Sequence, residues 1–175
     1  MQRNSISIES ARLSLRPFSP QDADEAFACI TPTLTRYMSF ELPTSKSAFE
    51  AIWQSWLNEI EAGIDFTFAI RTRPLNGFIG LAGLHRVQEP EPELGIWVRE
   101  NEHGHAYGRE AVTTLASWAA KTLHVASFVY PVAEENMSSR RIAESLGGTV
   151  IGHHATQKYN SVIYRIPARY LAPRS

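Results

Sequence analysis

The segment from residue 103 to residue 109 has residue types suited to binding a phosphate group. It reads His-Gly-His-Ala-Tyr-Gly-Arg and joins an alternating apolar strand to an amphipathic helix. In such a turn, unpaired backbone N–H groups and the positive end of the helix dipole point toward the loop. The small residues Gly104, Ala106 and Gly108 let an anionic group approach the main chain closely. The sequence therefore predicts an anion-binding loop.

The histidines and the cysteine do not form a metal-binding pattern. His103, His105 and the pair at 153–154 match no known ligand spacing, so we expect no metal. Cys29, the only cysteine, lies in the apolar helical stretch 26–30, where a thiol usually serves as a small core group. A catalytic role for this thiol is not expected.

Composition limits the classes of function. The chain has 175 residues, with 17 basic against 18 acidic side chains. This length predicts a single domain, residues 1–175, and the balanced charge argues against nucleic acid as the main partner. The first residues lead into an alternating strand and not a long apolar run, so we expect no signal peptide, no membrane span and a cytoplasmic location.

Strands and helices must position the loop. Alternating or continuous apolar runs predict six strands, at 12–16, 66–70, 78–87, 93–99, 125–132 and 162–166. Helices are predicted after the capping box Ser19–Asp22, from a second box Ser47–Glu50 to Gly63, over the apolar stripe 112–123, and at 136–146. Trp53 and Trp56 lie on the stripe of the second helix and are interpreted as core residues, not as a ligand platform.

Three motifs resemble those of the GNAT superfamily of N-acetyltransferases. They are Glu-Leu-Gly-Ile-Trp at 93–97, the loop 103–111, and the stretch 136–147. The opening 12–17 and the closing 163–165 resemble the ribosomal-protein-alanine N-acetyltransferase-like branch, and the likeness covers nearly the whole chain. It implies an α+β (mixed α/β) fold: a mostly antiparallel, seven-stranded sheet, splayed between the fourth and fifth strands and flanked by about four helices.

The resemblance implies that acetyl-CoA lies in the splayed gap. Its pantetheine arm would pair with the backbone of Ile96 and Val98, its pyrophosphate would lie over the amides of the loop, and Asn136 would bond the arm. The implied cofactor-binding residues are Ile96, Trp97, Val98, His103, Gly104, His105, Ala106, Tyr107, Gly108, Arg109 and Asn136. The family loop runs Gln/Arg-x-x-Gly-x-Gly/Ala, whereas here His103 replaces the first residue and Ala106 the first glycine. We therefore expect weaker binding.

The resemblance also assigns two catalytic residues. Ser139 matches the position that protonates the departing thiolate, and its alternative is a helix N-terminal cap. Glu93 matches the acidic position that deprotonates the amine, and its alternative is a solvated strand-end carboxylate. His85, whose side chain has an ordinary pKa near neutrality, is the second candidate base, and water is the third.

The acceptor is predicted to be a primary amine, either a protein N-terminus or a small molecule, and the protein a monomer or homodimer. Fold similarity does not choose between acceptors. The loop 31–44, with Thr35, Arg36, Tyr37 and Met38, is expected to line the far side of the cleft. The alternative function is a CoA-binding regulatory module with little catalysis, because His103, Ala106 and Gly148 depart from the family pattern.

Overall fold

A computed structural model describes residues 5–171, with side chains to residue 169. Its eight strands form one sheet in the spatial order β1-β2-β3-β4-β5-β6-β8-β7. The strands are β1 (Ile8–Glu9), β2 (Leu13–Pro17), β3 (Phe66–Thr72), β4 (Phe78–His85), β5 (Glu93–Val98), β6 (Ser127–Ala133), β7 (Thr149–Ala155) and β8 (Asn160–Pro167). The five α-helices of this region are α1 (Ala23–Cys29), α2 (Pro32–Thr35), α3 (Lys46–Ala62), α4 (Tyr107–Leu123) and α5 (Met137–Ser145).

The sheet opens between β5 and β6. These strands are parallel and share a single register pair, Glu93 with Val129, whereas the other neighbouring strands pair antiparallel. The N–H of Val129 donates to the carbonyl of Pro92 at 3.0 Å. Glu91 reinforces this closed end because its carboxylate accepts from Arg165 at 2.5 and 2.8 Å. The two strands therefore diverge from one fixed point and leave a wedge-shaped gap.

The mixed α/β fold with a mostly antiparallel sheet is confirmed, but the strand count is corrected from seven to eight. Neither β1 nor β7 was predicted from the sequence. The first has only two residues, too few for an alternating pattern. The second is an edge strand exposed on both faces, so it lacks the apolar alternation that marks a half-buried strand.

Helix ends follow the local capping chemistry. Ser45, and not Ser47, caps α3: its backbone is extended and its hydroxyl accepts from the N–H of Ala48 at 3.0 Å. The prediction of a capping box at Ser47–Glu50 is therefore wrong, since the chain is already helical there. Gly63 ends the helix in the left-handed conformation, as expected. The predicted box Ser19–Asp22 is present and opens a 3₁₀ turn before α1.

The core lies between the sheet and its helices. The predicted core role of the tryptophans is confirmed: the ring of Trp56 packs edge-on against Phe18 at 5.3 Å and Phe49 at 5.8 Å. Cys29 is buried, and burial raises the pKa of its thiol. No helix in residues 5–171 has the length and apolarity needed to cross a membrane.

Candidate active site

A cavity of about 730 Å³ occupies the mouth of the gap between β5 and β6. Its walls are the end of β5, the loop before α4, the first turns of α4 and α5, and the segment around α2. Ten of the eleven predicted cofactor-binding residues line it: Ile96, Trp97, Val98, His103, Gly104, Ala106, Tyr107, Gly108, Arg109 and Asn136. His105 does not, because its imidazole faces the carbonyl of Glu102 at 3.1 Å.

The N-terminus of α4 has no side-chain cap. Gly104 has φ 86° and Ala106 φ 60°, so the chain turns through two left-handed residues before the helix starts. The first backbone N–H groups of a 17-residue helix thus point toward the cavity with no side chain bonded to them. Three arginines also line this cavity, against two acidic side chains: Arg36, Arg109 and Arg141 against Glu100 and Glu102. These features suit a polyphosphate.

The edge of β5 that faces the gap carries main-chain groups for a strand-like ligand. The N–H of Arg99 donates to Ile79 of β4 at 2.8 Å, and in an antiparallel ladder the direction alternates with each residue. Odd-numbered residues of β5 therefore bond β4. Leu94, Ile96 and Val98 direct their N–H and C=O groups into the gap. An extended arm containing amides could pair with them as an added strand.

His103 already uses one of these groups. Its Nε2 lies 2.6 Å from the carbonyl oxygen of Val98, at the mouth of the gap. A carbonyl has two lone pairs, so it can accept a second hydrogen bond from a ligand. The residue that replaces the Gln or Arg of the GNAT pattern is therefore part of the wall and binds the strand edge that a ligand would contact.

The predicted anion-binding loop is anchored to the first part of the chain. Glu110, in the first turn of α4, accepts hydrogen bonds from the Ser10 hydroxyl at 2.7 Å and from the Arg12 backbone N–H at 3.0 Å. The guanidinium of Arg12 also pairs with this carboxylate at 2.6 Å and lies 4.6 Å from the centre of the Tyr107 ring. Burial alone would raise the pKa of Glu110, but the combined hydrogen bonds from Ser10 and Arg12 outweigh it and lower the pKa. These contacts fix the helix start.

Ser139 faces the cavity from the first turn of α5. Its hydroxyl lies 2.6 Å from the phenolic oxygen of Tyr130 on β6, and burial raises the pKa of Tyr130 to about 12. The structure excludes the alternative that Ser139 caps the helix: the cap is Asn136, whose side-chain oxygen accepts the Ser139 N–H at 3.2 Å. Ser139 is thus a half-buried hydroxyl held by a buried phenol.

Glu93 and His85 are cross-strand partners at the closed end of the gap, and neither lines the cavity. The Glu93 carboxylate pairs with Arg86 at 2.5 Å. Glu93 also lies close to Tyr159. The pKa of the Tyr159 phenol is raised, first by burial and second by the charge of Glu93. The imidazole of His85 bonds Asp65 at 3.0 Å. Both candidate bases are therefore paired with other side chains.

A family model described as the acetyltransferase (GNAT) domain matches residues 12–149. The chain belongs to the GNAT family. It is an acetyl-CoA-dependent acyltransferase. The curated protein YoaA of Bacillus subtilis, named an uncharacterized N-acetyltransferase, is 23% identical over 143 residues, which cover 80% of this chain and 81% of the relative.

Solved GNAT structures share the fold. RimL, a ribosomal L7/L12 alpha-N-protein acetyltransferase, aligns with a TM-score of 0.80 at 16% identity and covers 91% of this chain and 93% of its own. Spermidine N-acetyltransferase from Vibrio cholerae, solved with CoA and spermine, aligns with a TM-score of 0.78 at 16% identity, covering 93% and 99%. At these identities the likeness concerns the fold, and the acceptors of the two enzymes differ.

The GNAT cavity includes residues that the sequence did not single out. Thr33 and Leu34 of α2 line it beside the predicted Arg36, Tyr37 and Met38. The expectation for Thr35 is wrong, because its hydroxyl turns inward to the Thr31 carbonyl at 3.0 Å and the residue is buried. Ser138, Arg141 and Ile142 of α5 complete the wall. Ser138 and Ile142 are four residues apart, and this spacing could have indicated that they share one face of the helix.

Two supporting residues were also missed. Tyr130 comes from an apolar strand pattern that gives no sign of its bond to Ser139. Asp65, which holds His85, follows the end of α3 by a few residues and is 20 positions away in sequence. In residues 5–171 no group of three or more His, Cys, Asp or Glu side chains is arranged to hold a metal ion.

Proposed function

We propose that this protein transfers the acetyl group of acetyl-CoA to a primary amine by direct attack of the amine on the thioester. The observation that carries the proposal is the continuous cavity that joins the uncapped start of α4, the free edge of β5 and the hydroxyl of Ser139. Acetyl-CoA presents a diphosphate, an arm with two amides and a thioester in the same order. Helix N-termini bind phosphates and strand edges bind extended amides.

Each wall has a role in this proposal. The amides from Gly104 to Arg109 hold the diphosphate, and Arg109 adds a positive charge from the cavity wall. The main chain of Ile96 and Val98 bonds the pantetheine arm. Gly108 leaves room for the arm, because a Cβ at this position would lie 3.2 Å from Ile142 and 3.8 Å from Val98. Asn136 contributes its amide at the far wall.

The departing thiolate takes its proton from Ser139, which regains a proton from solvent. Tyr130 keeps its own proton at neutral pH, since burial raises its pKa to about 12, and it can donate to the Ser139 oxygen. The serine proton is then free to face the cavity. The attacking amine must lose a proton, and Glu93 and His85 at the closed end of the gap are the two side chains that can accept it.

The acceptor enters from a second cavity of about 540 Å³, which shares Arg36 and Tyr37 with the first. Its other walls are the turn before α5 and the β7–β8 turn, with Glu134, Glu135 and Tyr159 among the lining residues. This space accommodates either a peptide N-terminus or a small amine. The acceptor amines of RimL and the spermidine enzyme represent these two classes.

The test is release of CoA from acetyl-CoA with a panel of amines: peptides with a free N-terminus, a polyamine, an amino sugar and free amino acids. We expect turnover of at least one class and a mass increase of one acetyl group on that amine. Binding of acetyl-CoA without turnover of any amine would contradict catalysis and favour the CoA-binding module.

A matched pair of variants tests the diphosphate site. Arg109→Ala and Lys121→Ala each remove one positive charge from α4, but only Arg109 lines the cavity. A hydrogen bond to a charged group contributes about 1.5–3 kcal/mol, so Arg109→Ala should weaken acetyl-CoA binding by about tenfold or more in calorimetry. Lys121→Ala should bind like the wild type. Equal losses would indicate a general charge effect and contradict the placement of the diphosphate.

A further inference from the structure

The imidazole of His85 occupies the space of two absent side chains. A Cβ on Gly83 would lie 2.3 Å from His85 Nε2, and one on Gly95 would lie 3.7 Å from the same atom. Gly83 and Gly95 are direct cross-strand partners on β4 and β5. The ring therefore folds back over this glycine pair, with its Nε2 beside Gly83 and within contact distance of Gly95.

Asp65 fixes the orientation and tautomer of this ring. Its Oδ2 lies 3.0 Å from His85 Nδ1, while its Oδ1 accepts the backbone N–H of Arg86 at 2.7 Å. A carboxylate only accepts hydrogen bonds, so Nδ1 carries the proton of the neutral imidazole. Nε2 is then the nitrogen with the free lone pair, and it is the one that lies over the glycine pair.

Four charged groups lie around the ring: Asp65, Glu59, Arg86 and Glu93. Asp65 contacts the ring directly, and Glu59 of α3 lies near both residues. The pKa of Glu59 is raised, first by burial and then by the charge of Asp65, whereas His85 lowers it. Arg86 and Glu93, the other charged neighbours, compensate each other at 2.5 Å. A proton accepted by His85 would thus lie on a ring that already contacts the Asp65 carboxylate. By contrast, Glu93 would have to release Arg86 to act as a base.

The two faces of the gap are not equivalent. On the α4 face, Gly108 lies against Ile142 and against the side chains of Val98 and Ile96. The alternation along β5 places Gly95 and Trp97 on the other face, with the His85 ring. An amine that approaches the gap along this second face meets the imidazole at Gly95, where no side chain of β5 intervenes.

We propose that His85, held by Asp65, is the proton acceptor of the acetyl transfer, a statement that rests on the function proposed above. The amine nitrogen forms a bond to the acetyl carbon, and its proton passes to Nε2 of His85. The C–S bond breaks, the thiolate takes a proton from Ser139, and Ser139 regains a proton from solvent. His85, with a side chain 35% exposed, returns its proton to solvent. Asp65 is a positioning residue in this scheme.

The first test does not depend on turnover. Nitrogen-15 NMR of the histidine rings, with His85 assigned by its absence in His85→Asn, should show His85 as the Nδ1–H tautomer. In Asp65→Asn the amide can donate as well as accept a hydrogen bond, so the fixed preference for the Nδ1–H tautomer should be lost. An Nε2–H tautomer in the wild type, or an unchanged tautomer preference in Asp65→Asn, would overturn the arrangement whether or not an acceptor is known.

The second test uses any amine that the wild type acetylates. His85→Asn should lower kcat by about 100-fold or more, the usual contribution of a general base, and abolish the acidic limb of the pH–rate profile. Acetyl-CoA affinity should stay within about threefold, which shows that the fold survives. Glu93→Gln should keep the limb. Loss of the limb in Glu93→Gln, with its retention in His85→Asn, would assign the proton to Glu93 and leave the acetyltransferase function intact.

Gly83→Ala provides a variant that retains the histidine. The added Cβ must displace the imidazole, because 2.3 Å is shorter than any stable contact. We expect kcat to fall toward that of His85→Asn while acetyl-CoA affinity is retained. A kcat equal to that of the wild type would mean that the position of the ring over the glycine pair has no catalytic importance.

Discussion

The loop before α4 contains a glycine and an alanine that both have left-handed backbone conformations. Replacing the glycine by alanine, and the alanine by glycine, tests how much backbone strain the loop contains. An L-residue pays about 1–2 kcal/mol in this conformation, whereas glycine does not. Gly104 has φ 86° and nothing lies within 4 Å of the position of a Cβ. Gly104→Ala therefore adds backbone strain without any steric clash. Ala106, with φ 60°, already carries this strain, and Ala106→Gly removes it.

The expected changes in stability follow from two opposing contributions to the free energy of unfolding. Replacing glycine by alanine stabilises by about 0.4–1 kcal/mol through the unfolded chain, which offsets part of the left-handed cost. Gly104→Ala should thus destabilise by about 1 kcal/mol, and Ala106→Gly should stabilise by a similar or smaller amount. For a chain of 175 residues, 1 kcal/mol corresponds to a shift in Tm of about 2–4 °C. Calorimetric unfolding resolves such shifts.

Gly152→Ala is the matched control. This glycine on β7 also has nothing within 4 Å of its Cβ position, but its φ is not positive. Its replacement should leave Tm unchanged or slightly higher. Acetyl-CoA affinity, measured by titration calorimetry, should increase in Ala106→Gly because the amides reach the ligand without strain. A Tm for Gly104→Ala that equals that of Gly152→Ala would refute the argument from backbone conformation.

Three further perturbations address other parts of the site. Gly108→Leu should fill the floor of the gap beside Ile142 and weaken acetyl-CoA binding by about tenfold or more, measured by calorimetry, with a small change in Tm. Ser139→Ala should lower kcat by about 100-fold in stopped-flow assays while acetyl-CoA affinity is retained, because the thiolate charge develops only in the transition state. Glu110 has a pKa lowered in the folded protein, so its contribution is present above the unfolded pKa and lost as pH falls through the folded value. Denaturation at a series of acidic pH values should therefore show a shallower loss of stability in Glu110→Gln.

The sequence predicted the parts of the site that depend on local pattern. Alternation placed β5 and the apolar stripe of α4, and the small residues between them marked the anion-binding loop. These signals are local because a strand edge and a helix start are built from consecutive residues. The assignment of the α3 cap failed for the same reason. Ser45 and Ser47 both have the right side chain, and only the backbone conformation decides between them.

Contacts between distant segments were not predictable in this way. Tyr130 bonds Ser139, and Asp65 bonds His85, through strands and helices whose relative positions the pattern does not specify. Arg12 and Glu110 are 98 residues apart, and the sequence around each predicts only an exposed charge. Pairing of this kind depends on sheet order and register, so it becomes visible only in the folded chain.

Both departures from the family loop are expected to weaken ligand binding, and the anchor of the helix start opposes them. His103 bonds the Val98 carbonyl and so competes with, or shares, a group that the pantetheine arm would use. Ala106 stores backbone strain in a loop that Arg12 and Glu110 nevertheless hold in place through the helix start. Because this anchor does not depend on a ligand, the amides at the start of α4 are already oriented for an anion. Preorganisation then restores part of the affinity that is lost through the histidine contact and the strain. The loop is thus expected to bind acetyl-CoA more weakly than a glycine-containing loop with a free strand edge, without losing the site.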